Sequence, residues 1–72
     1  MDQEIDVSRL EPPEPLERVL DALSGLKPGD RLRVIHRREP FPLYDILRRL
    51  GYRWETQCEE GRYRILIWPA DQ

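Results

Sequence analysis

Arg31-Leu32-Arg33-Val34-Ile35-His36-Arg37-Arg38-Glu39-Pro40-Phe41-Pro42-Leu43-Tyr44-Asp45-Ile46-Leu47-Arg48-Arg49-Leu50 is the stretch whose hydrophobic period decides the fold. Leu32 and Val34 alternate with Arg31 and Arg33, the two-residue repeat of a strand with one buried face. Beyond the prolines, Leu43, Ile46, Leu47 and Leu50 recur at i, i+3, i+4 and i+7, the stripe of a helix packed on a core. Pro42 suits a first turn, where its missing N–H has no partner to lose, and Gly51 follows the last periodic residue. A strand from Arg31 to His36 and a helix from Pro42 to Leu50 are predicted.

Working outward, Leu16, Val19, Leu20 and Leu23 repeat the helical stripe behind Pro15, which places a first helix at Pro15 to Ser24 with Gly25 as its left-handed end. Lys27-Pro28-Gly29-Asp30 reads as a type II turn. Ile5 and Val7 alternate with Asp6 and Ser8 in an N-terminal strand. On the other side, Tyr52, Trp54, Thr56 and Cys58 share one face of a strand, and Tyr63, Ile65 and Ile67 share one face of the next. Glu59-Glu60-Gly61 joins these two as a hairpin. The fold class is therefore α/β, an α+β two-layer sandwich of order βαβαββ, with a four-stranded mixed sheet and both helices on one face. The open face carries Arg31, Arg33, Arg53, Glu55, Gln57, Arg62 and Arg64, with Leu66 and Trp68 among them.

A chain of 72 residues has room for one domain, residues 1–72, packed from about residue 5 to residue 68, and one modest core. The single Cys58 and single His36 provide neither an internal disulfide nor a structural zinc site. The N-terminus lacks the pattern of a secretory signal and no stretch is long enough to span a bilayer, so a cytoplasmic location without membrane contact is expected. Twelve basic against fourteen acidic residues give a net charge of -2, which argues against nucleic acid as a partner. Arg31, Arg33, Arg53, Arg62 and Arg64 with Trp68 keep RNA open as an alternative, against cross-strand pairing with Glu55 and solvation.

Two segments are alike: Glu11-Pro12-Pro13-Glu14-Pro15-Leu16 and Glu39-Pro40-Phe41-Pro42-Leu43. Both contain Pro-x-Pro-Leu where a strand hands over to a helix, at the carboxyl edge where open α/β sheets usually bind ligands. Leu10 to Leu16, Leu26-Lys27-Pro28-Gly29-Asp30 and Leu32 to Ile35 resemble the TusA/SirA sulfur-carrier superfamily. That family reads Cys-Pro-x-Pro at the first corner, and Pro12 stands here where its carrier cysteine would be. The resemblance implies strand order 1-2-4-3 with strand four antiparallel. Leu10 to Pro15 and His36 to Tyr44 are more similar still to a cysteine-less bacterial branch, the domain-of-unknown-function family twenty-two forty-nine, which implies the fold and the loss of the carrier activity.

The candidate ligand-binding residues are Glu11, Glu14, His36, Arg38, Glu39 and Tyr44. His36 either hydrogen-bonds a loop carbonyl or carboxylate and helps lock its corner, or joins Glu11, Glu14 or Glu39 in a metal or ligand site. Tyr44, just off the helical stripe, either packs across the helix end or offers its hydroxyl to a ligand. The prolines delete N–H donors and the glutamates repel anions, so a cation, an amine or a basic segment is the expected occupant. Cys58 is expected on the core side as an inert small hydrophobe. The reading is a non-enzymatic module that holds a small ligand, a metal or a protein partner at the two corners, with no assignable cofactor. Its alternative is a sulfur-transfer protein that uses Cys58.

Overall fold

Six elements follow in the order β1 (Asp2–Asp6), α1 (Glu14–Ser24), β2 (Arg31–His36), α2 (Phe41–Leu50), β3 (Tyr52–Glu59) and β4 (Arg62–Pro69). They are seen in a computed structural model that describes residues 2–71. The sheet order is β1-β2-β4-β3, with β1 and β2 parallel and β4 antiparallel to both its neighbours. This is the strand order that the resemblance implied.

The alternation in β2 sends Leu32 and Val34 inward, where both are fully buried opposite Ile67 and Ile65 of β4. Val7, Val19, Leu23, Leu43, Tyr44 and Leu47 complete the buried layer between sheet and helices. Apolar surface removed from water in this layer is the main stabilising term for so short a chain. β1 stops at Asp6 because the carboxylate accepts both the N–H and the hydroxyl of Ser8, at 2.9 and 2.6 Å. Val7 lies just past the strand but remains inside, its N–H bonded to the Ile35 carbonyl at 2.9 Å.

Both helices begin one residue earlier than expected, at Glu14 and Phe41. Gly25 is not left-handed: its φ is −97°, and helix α1 unwinds through short bonds from Gly25 to Ala22 and from Leu26 to Leu23. Those tight turns carry the chain onward without a reversal. Gly51 does take the left-handed cap, at φ 84°.

The buried arc of α2 is Leu43, Tyr44 and Leu47, whereas Leu50 is 57% exposed. Tyr44 was expected off the stripe and Leu50 on it. The Tyr44 ring stacks on Trp54 of β3, centroids 5.0 Å apart and planes within 7°. At 100° per residue, rotating the helix to bury Tyr44 lifts Leu50 toward water.

The β3–β4 connection is tighter than the three-residue gap suggested. Glu59 pairs directly with Arg62, which leaves a two-residue loop in which Glu60 and Gly61 have φ of 52° and 76°. Two positive φ values match the mirror-image turn that fits strand twist. Cys58, beside this loop on the edge strand, is exposed. Its parity is as expected, but α2 covers Trp54 and Thr56 and does not reach the strand's last pairs.

A groove between the two proline corners

Because β1 and β2 are parallel, their carboxyl ends open at one edge of the sheet, and the chain must climb from each into a helix. The two Pro-x-Pro-Leu segments make those climbs side by side. Between them lies a groove of about 390 Å³. Its walls are Leu10, Pro12, Pro13, Pro15 and Leu16 on one side and Pro40, Pro42 and Leu43 on the other, with Val19 behind and His36 to Glu39 along the rim. The Pro12-Pro13 peptide is cis. Proline and leucine make this lining apolar, and the volume falls in the range of small-molecule sites.

Three of the six candidate residues line the groove: His36, Arg38 and Glu39. Glu11 and Glu14 are exposed and stand outside it, and Tyr44 is buried on the β3 side of α2. Nδ1 of His36 accepts the backbone N–H of Arg38 at 3.1 Å, which fixes the rim turn and leaves Nε2 to carry the imidazole proton. Burial first, then Arg37 and Arg38, push the His36 pKa below its ordinary value, so the ring is neutral at neutral pH. The bond differs from the one weighed for His36, since the ring accepts from a backbone N–H and does not donate to a loop carbonyl or carboxylate through this nitrogen.

Glu39 turns partly away from the groove. Its carboxylate accepts the Tyr44 hydroxyl at 3.1 Å, and that hydroxyl also lies 2.6 Å from Thr56 Oγ1. Burial raises the Tyr44 pKa most, opposed by Thr56 and assisted by Glu39. Phe41 meets Tyr44 edge-on at 5.8 Å, and the Arg48 guanidinium covers Trp54 at 5.5 Å. Thr56 and Trp54 were read only as core-facing. A hydroxyl on a core-facing position was the one signal that Thr56 needed a polar partner.

Among the described residues, no three His, Cys, Asp or Glu side chains gather as a metal site. The open face is organised differently from the expectation. Arg31 makes two 3.0 Å contacts with Asp2, Arg33 reaches Asp2 and Glu4 at 3.6 and 3.7 Å, and Arg64 reaches Glu59 at 3.7 Å. The carboxylates come from β1 and the hairpin, not from Glu55, and three of the five arginines offered to phosphates already face acids. No helix among the described residues is long and apolar enough to cross a membrane.

Fold and groove define a class: a two-layer βαβαββ chain whose two parallel-strand corners enclose a proline-walled site. Over residues 4–69 the sequence matches the family described as uncharacterized conserved protein DUF2249, and the chain belongs to that family. No curated protein and no solved structure matches it.

Proposed function

We propose that this chain is a cytoplasmic, bacterial, non-enzymatic binding module on a TusA/SirA-like fold, and that it holds a small ligand between its proline corners. The observation that carries the reading is the apolar groove at the carboxyl edge of the parallel strands, rimmed by the polar side chains of His36, Arg38 and Glu39. Rigid prolines on both walls suit binding, since little ordering is needed when a ligand enters. Amide shift mapping with a library of small ligands tests it. Shifts confined to Leu10, Leu16, His36 and Leu43 are expected, and shifts confined to Arg31, Arg53, Leu66 and Trp68 would move the function to the open face.

One observation favours a second reading, sulfur transfer through Cys58. The thiol is exposed, and it lies opposite Tyr63, which in turn lies opposite His36, so Cys58 stands in the same row as the groove rim. Two strand spacings separate Cys58 from His36, roughly 10 Å. The Cys58 sulfur raises the pKa of the neighbouring Tyr63 phenol. In a transfer, the Cys58 thiolate would attack the outer sulfur of a donor cysteine persulfide, and the donor would leave as a thiolate. Mass spectrometry decides it: one added sulfur on Cys58 in the folded chain supports this reading, and an unchanged mass after prolonged exposure removes it.

A further inference from the structure

We infer that the groove selects an amphiphile with an apolar body and a carboxylate head, its head held at the Arg37–Arg38 rim and its body between the proline walls. The inference rests on the groove being the binding site and names the class of ligand. It reverses the charge expected from the glutamates in the sequence.

The reversal follows from where the charges lie. Glu11 and Glu14, the carboxylates that argued for a cation, do not line the groove. Glu39 does, but its carboxylate already accepts the Tyr44 hydroxyl. Arg37 and Arg38 line the same rim, both exposed, and neither makes an ion pair with any described residue. Among the described residues, the groove therefore presents two guanidinium groups without an ion-pair partner against one carboxylate that accepts a hydrogen bond.

The helix starts beside the groove do not decide its charge, because Pro15 and Pro42 have no N–H to offer and the N–H groups of Glu14 and Leu43 already bond the Glu11 and Pro40 carbonyls. The bias comes from the rim. His36 accepts the Arg38 N–H at Nδ1 and so has only an N–H left to offer, which suits an acceptor on the ligand and not a cation. A planar guanidinium matches a carboxylate through paired hydrogen bonds. The lining below the rim is proline, leucine and valine and provides no polar partner, so the rest of the ligand must be apolar. A volume of about 390 Å³ suits one small molecule.

Three probes with the same eight-carbon chain separate the terms: octanoate, octanol and octylamine, titrated at neutral pH and low salt with amide shifts as readout. Octanoate should bind at least about tenfold more tightly than octanol, as expected for a charge-assisted bond, and octylamine more weakly than octanol. Replacing Arg37 and Arg38 together by Gln should abolish the octanoate preference and leave octanol binding unchanged. Equal affinity for octanoate and octanol, or preference for octylamine, overturns the carboxylate inference while the groove remains a binding site. A short Leu- and Glu-containing peptide that binds where octanoate does not would overturn it in favour of an acidic segment. If no probe or peptide moves Leu16, His36 or Leu43, the groove reading falls as well.

Discussion

The hydroxyls of Tyr44 and Thr56 lie 2.6 Å apart and join the first turns of α2 to the edge strand β3. Tyr44 donates its one hydroxyl proton to the Glu39 carboxylate, so Thr56 is the donor to Tyr44. Tyr44→Phe keeps the ring stacked on Trp54 but leaves Thr56 and Glu39 short of a partner. We expect a loss of about 1 to 3 kcal/mol by urea unfolding, with Thr56→Val costing a similar amount. The double variant should cost clearly less than the sum, because both changes remove one bond. Additive losses would mean that the two hydroxyls do not interact in solution.

Leu47 and Leu50 belong to one sequence stripe but to different environments, fully buried and 57% exposed. Leu47→Ala should cost about 2 to 5 kcal/mol through the cavity it leaves. Leu50→Ala should fall within about 0.5 kcal/mol of the parent. Denaturant midpoints compare the two directly, and equal midpoints would reject the rotation of α2 toward Trp54.

Glu60 occupies the left-handed region at φ 52°, a conformation costly for a side chain without a local hydrogen bond. Glu60→Asn converts the loop to the Asn-Gly pair favoured in two-residue hairpins. A gain of about 0.5 to 1 kcal/mol is expected. A thermal midpoint that falls would indicate that the Glu60 side chain makes a compensating contact.

His36 has a folded pKa below its ordinary value of about 6.5, so the folded chain favours the neutral ring. The stability this confers is fully present above about pH 6.5 and is lost as pH falls through the folded pKa, when the unfolded chain takes up the proton first. Between pH 7.5 and 5.0 the parent should therefore lose more stability than His36→Gln. A proton-resonance titration of the ring should give a midpoint under 6.5, and a midpoint above it would contradict the burial and the influence of Arg37 and Arg38.

Periodicity alone marked all six elements, because strand and helix repeats are set by backbone geometry and are printed in the order of apolar residues. The repeated Pro-x-Pro-Leu segments, at each handover from strand to helix, marked the two corners. What periodicity could not resolve was rotation and reach. Whether Leu50 or Tyr44 faces inward depends on Trp54, a residue of another element. Cys58 has inward parity yet lies past the end of the helical cover, and parity carries no information about how far that cover extends. The position of the charges was hidden for a similar reason: Glu11 and Glu14 are near the corner in sequence, but only the three-dimensional path of the chain shows that they do not line the groove and that Arg37, Arg38 and Glu39 do.

β1 contributes little to the core: Ile5 is its one half-buried residue, and Asp2 to Glu4 are exposed. The strand is attached to β2 by its backbone ladder and by Asp2 and Glu4 facing Arg31 and Arg33. Such surface pairs weaken as salt rises. Partial opening of the chain is therefore expected to begin at β1, and its amides should exchange with solvent sooner than those of β2 and β4. Leu10 is tied to this strand's end through the Val7 carbonyl at 3.1 Å, and Leu10 is also groove wall. Raising the ionic strength should therefore speed amide exchange at β1 and at Leu10 together, so that the ion pairs on one face of the sheet and the groove wall on the other soften as a unit.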